Sequence, residues 1–299
     1  MSTASISPGR QTLRRMFRNP SVLIGGFLVM VIVLLGLLAP LLDTRDPSKI
    51  SPKDRNQPPG YETTIRDSSG AKVPVEYRLG SDTLGRDVYS RIVYGARVSL
   101  IVGVSVASIA IVLGMAIGVL AGYFRLLDSI IMRLMDGLMA IPAILLAIAV
   151  VSLFKAGLVS VIIAIVVPEV PRVVRLVRSI VLSIREEPYV EAAITAGTRT
   201  PLLLVRHILP NTISPLIVQG TFIVASAIIV EAILSFLGIG IPPEIPTWGN
   251  IMAEGRSVFQ LYPHNILYPG LILAVTVLAV NMLGDGLRDT LDPRFAKRL

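Results

Sequence analysis

The chain has 299 residues, of which 53% are hydrophobic and 16% charged, with a formal net charge of +8 and a mean hydropathy of +0.72. Soluble domains carry about 25% charged residues, so the deficit places much of this chain in lipid. The absence of cysteine excludes disulfides, thiolate metal sites and cysteine nucleophiles. His207 and His264 alone make neither a zinc site nor a catalytic triad. In so apolar a chain the basic excess belongs beside membrane spans rather than on nucleic acid.

Residues 1–21 form a basic tail with Arg10, Arg14, Arg15 and Arg18. A bilayer core of about 30 Å takes about 20 apolar residues as a helix, and Val22 to Leu42 is the first such run. It exceeds the roughly 7–15 apolar residues of a cleaved signal and is expected to stay as an anchor. Residues 43–97 follow as a segment outside the bilayer. Pro47, Pro52, Pro58 and Pro59 make 43–76 irregular. Val88, Ile92 and Val93, after Gly85, recur with helical spacing and predict a short amphipathic helix on the membrane surface within 77–97.

Val98 to Phe124 is the second span, with a stripe of small residues at Gly114, Gly118 and Gly122 suited to close helix contact. Ile141 to Phe154 is a short third run, with Leu138 as an earlier start. Leu158 to about Val177, Ile213 to Leu237 and Ile266 to Leu287 complete the set. Only helices or closed barrels satisfy their backbone in lipid, and runs of this length are helices. The expected fold class is all-α, a polytopic membrane protein with six transmembrane helices.

Basic residues set the orientation. They cluster in the N-terminal tail, at Arg178, Arg185, Arg199 and Arg206 after the fourth span, and at Arg288, Arg294, Lys297 and Arg298 in the tail 289–299. The opposite loops hold little beyond Lys155 and Arg256. Both termini are therefore expected inside. Residues 43–97 hold many basic groups but nearly as many acids, and long segments cross largely regardless of charge.

Between the fourth and fifth spans lies a patterned polar loop. Glu186 and Glu187 just before Pro188, with Glu191, Ala192 and Ala193 after it, are helix starters and formers. Gly197 permits the left-handed turn that a Cβ penalises. Leu202 to Val205 resume an apolar helix and Pro210 is expected to close it. The result is a helix–turn–helix hairpin. On residues alone it reads first as a solvated connector and second as a docking element for a soluble partner.

Four stretches carry a family resemblance. They are Leu79-Gly80-Ser81-Asp82-Thr83-Leu84-Gly85-Arg86-Asp87 with Ser90-Arg91 and Tyr94-Gly95-Ala96-Arg97; the loop Tyr189 to Asn211; Leu234 to Gly240 running on to Pro246-Thr247-Trp248-Gly249-Asn250; and Asn281 to Pro293. Over roughly residues 10–295 the chain resembles the inner-membrane permease subunit of bacterial ABC importers for dipeptides or oligopeptides, the C-type partner of a heterodimeric pore. Ser81 stands where that family usually has Thr.

The resemblance implies a type I importer permease fold, with a core over 98–288 and a coupling loop over 181–212. It implies that Glu191, Ala192, Ala193, Gly197, Arg199, Arg206, His207 and Pro210 form the contact with a separate ATPase. The partners it implies are two ABC ATPase subunits, a B-type second permease and a periplasmic or lipid-anchored peptide-binding protein, in the bacterial inner membrane. No cofactor is implied. Relatives in the same family carry nickel chelates, glutathione or antimicrobial peptides, and those cargoes stay open.

Arg172, Arg175 and Arg178 lie near one helical face. They either anchor a span at the interface by snorkelling or form a basic mouth for carboxylates. Glu169 and Glu231 are ionisable groups at membrane depth, serving either as hydrogen bonds between helices or as pathway groups beside Arg172. Asp128 and Asp136 suggest a local Arg133–Asp136 contact. Trp248 reads as an outer-loop contact for a binding protein or as an interfacial belt residue. A self-contained secondary transporter would show paired internal repeats and midplane acids, which fit poorly. No Gly-x-Ser-x-Gly, His-Glu-x-x-His or Walker A pattern is present, so an enzyme, including the motor itself, is not expected.

Overall fold

The structure is a computed structural model that describes residues 15–42, 44–66 and 72–291. The outer parts of the two tails, including Arg10, Arg14 and the basic cluster after Asp292, lie outside the described residues.

The chain is built of helices with one small β-hairpin. Helix α1, Pro20–Leu37, starts where Asn19 Oδ1 accepts from Ser21 N at 2.9 Å and Pro20 occupies the first turn. It ends before the 3₁₀ turn Ala39–Leu41. Strands β1, Tyr61–Arg66, and β2, Lys72–Tyr77, pair antiparallel with Tyr61 opposite Tyr77 and Thr64 opposite Pro74. This hairpin takes up the second half of the stretch expected to be irregular over 43–76, while 44–60 are turns and coil with one 3₁₀ turn, Pro52–Asp54. Pro74 is tolerated because a two-stranded ribbon has only edges, where a missing N–H need cost no ladder bond.

Helix α2 runs unbroken over Val88–Tyr123, capped by Asp87. The surface helix expected within 77–97 and the span expected from Val98 are thus one 36-residue helix. Nothing between Tyr94 and Leu100 breaks it, since the one glycine there, Gly95, sits against Trp248.

Helix α3, Arg125–Met139, and helix α4, Ala143–Val151, meet at a 90° bend. Pro142 explains the break. It lacks an N–H and pushes Ile141 out of the helical region. The third expected span is therefore not one straight helix. With nine residues, α4 is only about 14 Å long, and it crosses a bilayer only together with α3.

Helix α5, Leu158–Ile184, continues through Pro168 and Pro171. Helix α6, Pro188–Thr195, and helix α7, Thr200–Leu203, form the hairpin. A π-helical stretch, Leu204–Ile208, leads into helix α8, Leu209–Phe236. Helix α9, Trp248–Gly255, and helix α10, His264–Leu291, complete the chain.

Among the described residues, four helices are long and apolar enough to cross a membrane, or five counting the bent pair as one span. Helix α5 has the length, 27 residues, but carries Glu169, Arg172, Arg175 and Arg178. The six expected crossings therefore fit as four apolar helices, one broken pair and one charged helix.

Two cores hold these helices together. The larger joins α2, α5 and α8 through Val102, Val106, Val173, Val177, Val181, Ile223 and Leu234. The smaller joins α1, α2, α8, α9 and α10 through Ile32, Ile92, Ile228, Trp248, Ile251 and Ala279. In lipid no hydrophobic force pulls helices together, so close packing matters more. The expected glycine stripe does this work within the chain: Gly118 and Gly122 face Val177 and Val181 of α5, where an added Cβ would lie 2.7 Å from each Val Cβ.

Candidate functional site

The loop between α5 and α8 forms the expected helix–turn–helix hairpin. Pro188 sits in the first turn of α6 with Glu191 behind it, and a carboxylate there complements the helix dipole. The helix closes in a Schellman turn. Gly197, at φ +79, donates to Ile194 O at 2.9 Å, and Thr198 N donates to Ala193 O at 3.0 Å. Arg199 then caps α7 in an extended conformation.

Pro210 does not close a helix, contrary to expectation. It lies in the first turn of α8, and the chain passes from α7 into α8 through the π stretch, with Leu209 N bonded to Leu204 O. A proline in a helix leaves the carbonyl four residues back without its donor and crowds it. Widening the preceding turn to a π-helix accommodates both effects.

Val190, Leu203 and Ile208 are buried and fasten the hairpin to the bundle. Asn211 Nδ2 donates to Tyr189 OH at 3.2 Å and to His207 O at 2.7 Å, tying the start of α6 to the π stretch. The remaining surface is open. Glu191, Ala192, Gly197, Arg199, Arg206 and Pro210 are exposed, with Ala193 and His207 half-buried. Ile194, Leu202 and Val205 expose large apolar side chains beside them. Among the described residues, Glu191, Arg199 and Arg206 form no ion pair. A face mixing unpaired charge of both signs with exposed apolar groups is what a protein contact needs.

The charged face of α5 is more ordered than expected. Arg172 Nη1 binds Glu169 Oε1 at 2.8 Å, and Ser226 Oγ of α8 donates to the same oxygen at 3.1 Å. Arg175 pairs with Asp136 at 2.7 Å. Arg178 grips Asp128 with Nε and Nη2, the second contact being 2.6 Å. The aspartates of α3 thus reach across to α5, and the local Arg133–Asp136 contact is not formed. Glu231 is fully buried and accepts from Ser235 Oγ at 2.8 Å.

At the other end of α2 lies a knot that no sequence signal had singled out as a unit. Arg86 binds Asp82 at 2.7 Å and also Glu254 of α9. Arg91, fully buried, lies 3.6 Å from Asp82 and 3.5 Å from Glu254. Both arginines reach Pro243 O. Burial pulls the Arg86 guanidinium down, but Asp82 and Glu254 outweigh it and hold its pKa above the usual value. Asp82, Arg86 and Arg91 were readable as one motif, the first two in the turn before α2; their partner Glu254 was not, since α9 is distant in sequence. Trp248 is neither an exposed contact nor a belt residue. It is fully buried, with Nε1 donating to Ile92 O at 3.0 Å.

Comparison with known proteins gives this geometry its class. A family described as "Binding-protein-dependent transport system inner membrane component" matches residues 110–297, and one described as "N-terminal TM domain of oligopeptide transport permease C" matches residues 7–59. The chain is 52% identical over 300 residues to a probable peptide ABC transporter permease protein of Sinorhizobium fredii, covering 99% of this chain and 98% of that one. It is 38% identical over 291 residues to a dipeptide transport system permease protein of Alkalihalophilus pseudofirmus, covering 97% and 91%. Its fold is similar to that of a methionine ABC transporter in an inward-facing conformation, with a TM-score of 0.54 and 19% identity over 67% of this chain and 95% of that one.

The chain belongs to the binding-protein-dependent inner-membrane permease components of ABC transporters, in the dipeptide and oligopeptide group. It has the type I importer fold and is a multi-pass membrane protein. As a permease it is not itself an enzyme, the ATPase being a separate subunit.

Proposed function

We propose that this chain forms half of a translocation pathway for di- or oligopeptides and receives its motion from a separate ATPase through the loop 181–212. The observation that carries this is the α6–α7 hairpin: it is anchored by Val190, Leu203 and Ile208, yet presents Glu191, Arg199, Arg206, Ile194, Leu202 and Val205 unpaired. Such a surface accepts a partner without first breaking internal contacts. From it, the π stretch feeds into α8, whose 28 residues make a rod about 42 Å long. A displacement of the hairpin therefore tilts α8 and everything packed on it, including α2 and α5.

In this reading two ATPase subunits meet the hairpins of this chain and of a B-type permease, and ATP binding brings the hairpins together. The pathway then changes the side on which it opens. A periplasmic or lipid-anchored binding protein delivers peptide to the outer face. Both termini and the hairpin lie in the cytoplasm, as the basic residues favour. Residues 44–87 lie outside. Within the core 98–288, the Glu169–Arg172 pair lines the pathway, with Arg172 exposed to attract carboxylates. Glu231, the other candidate pathway group, is buried and held by Ser235 Oγ one turn along α8.

Co-purification tests the coupling directly. Gly197 sits at φ +79 with open space around it, so Gly197→Trp strains the turn and blocks the face without filling the core. Wild-type permease should carry the ATPase through purification and support peptide uptake, while the variant should lose both. Unchanged co-purification and uptake would overturn the docking role. Cysteine labelling of 186–211 from outside the membrane would overturn the orientation. Uptake of glutathione or nickel chelates with no uptake of peptides would overturn the peptide cargo alone.

A further inference from the structure

Outside the helical core, a cleft of about 630 Å³ opens between residues 45–54, the β-hairpin and the start of α2. Its size lies within the roughly 300–1,000 Å³ of small-ligand pockets. Two of its lining groups are unfinished. Asp87 is 7% exposed; its Oδ2 accepts from Ser90 N at 3.0 Å and from Ser90 Oγ, while its buried Oδ1 has no partner. Arg45 donates through Nη2 to Glu76 O at 2.6 Å and lies 5.0 Å from the Tyr77 ring, while its buried Nη1 has none. Ser90 Oγ also accepts from Arg45 N at 2.8 Å, which fixes the two groups relative to each other.

A buried oxygen wanting a donor and a buried N–H wanting an acceptor, in one cleft, define the chemistry. An anion would satisfy Arg45 and leave Asp87 facing like charge. A cation would do the reverse. The lining charges also cancel, with Arg45, Lys49 and Lys53 against Asp46, Asp54 and Asp87. Tyr61 and Tyr77, 6.3 Å apart between ring centres, supply an aromatic wall. Such a wall takes side chains of varied shape, while the charged groups take what every short peptide shares.

We propose that this cleft binds a short zwitterionic peptide by its two ends, the ammonium on Asp87 Oδ1 and the carboxylate on Arg45 Nη1. It is a waiting site at the outer face, ahead of the pathway. That role, though not the binding chemistry, rests on the peptide reading above.

The test uses the assembled transporter in lipid nanodiscs without its binding protein, titrated calorimetrically with dialanine, N-acetyl-dialanine and dialanine amide. Free dialanine should bind best, with each blocked form about tenfold weaker or worse for the loss of one charge-assisted bond. Asp87→Asn keeps the helix cap, since Asn caps as well as Asp. It should weaken dialanine by about the same factor and leave N-acetyl-dialanine unchanged. Arg45→Gln should do the same for the carboxylate end. A photoreactive dipeptide should label Tyr61 or Tyr77 in the wild type, which needs no variant to fold. Equal binding of free and blocked peptides, indifference to Asp87→Asn, or labelling elsewhere would overturn the proposal. Uptake by cells separates the two readings: peptide import without dialanine binding sinks the cleft alone, and dialanine binding without peptide import sinks the cargo reading alone.

Discussion

Trp248 Nε1 donates to the carbonyl of Ile92 at 3.0 Å, joining residues 156 positions apart in the chain. The indole is fully buried and rests on Gly95, where an added Cβ would come within 3.2 Å of its Cδ1. It therefore wedges α9 against the first turns of α2. Trp248→Phe keeps most of the packing and gives up the bond, at a cost of about 1 kcal/mol. Trp248→Ala leaves a cavity and should cost about 3–5 kcal/mol. Thermal melting of the purified transporter should show a small downward shift for Phe and a large one for Ala. Equal shifts would mean that the wedge is not a packing element.

The contact between Gly118 and Val177 is a second test of packing. An added Cβ at Gly118 would lie 2.7 Å from Val177 Cβ and 2.9 Å from Val174 O. Backbone is in the way, so rotamer changes cannot relieve it. Gly118→Val should cost at least about 1–3 kcal/mol by overpacking and reduce the amount of protein in the membrane. Gly137, inside α3, has nothing near its own would-be Cβ, so Gly137→Ala should be tolerated or slightly stabilising in the same assay, by up to about 1 kcal/mol.

The two glycines also show what the sequence could and could not tell. The stripe Gly114, Gly118, Gly122 was legible as a close-contact face, because small residues at four-residue spacing line up on a helix. Its partner was not, since any helix with room could have met it. The apolar runs fixed most helix positions to within a few residues. They overran at Leu42, where Ala39 and Pro40 turn the chain, and divided at Val98 what is one helix from Val88, the expected surface helix and the second span being continuous. The β-hairpin was masked by the prolines of this segment, Pro74 among them, although its strands do alternate: Tyr61 and Thr63 are half-buried while Glu62 and Thr64 are exposed. The α6–α7 turn was legible through Gly197, whose positive φ only glycine adopts freely. The cleft at Asp87 and the partner Glu254 were not, since each depends on segments far apart in sequence.

The pairing of Arg178 with Asp128 is the main polar tie between α3 and α5. It is bidentate but a quarter exposed at each side chain, with 29% and 24% of the two surfaces open. Such a pair is stronger than an exposed single contact and weaker than a buried one. Asp128→Asn and Arg178→Gln should each cost about 1 kcal/mol, and the double variant little more than either. A double-mutant cycle on melting temperature measures this. Additive losses would show that α3 and α5 are held together by apolar contacts alone.

Arg91 makes the sharpest prediction, because its side chain is fully buried and two of its three nitrogens, Nε and Nη1, have no hydrogen-bond partner. Its charge is balanced only through Asp82 and Glu254, which it shares with Arg86. Removing one acid leaves two guanidinium groups facing a single carboxylate in a place largely closed to water. Glu254→Gln should therefore cost about 3–5 kcal/mol, as breaking a buried pair usually does. Adding Arg91→Met to Glu254→Gln restores the charge balance around Arg86 and fills the space with an apolar chain of similar length. Arg91→Met alone leaves Asp82 and Glu254 sharing one guanidinium and should also lose stability, yet the double variant should be more stable than Glu254→Gln alone, a change of sign that no additive scheme produces. Membrane yield and melting temperature of the three proteins decide it. A double variant less stable than either single change would show that Arg91 contributes through packing or Pro243 O rather than through charge.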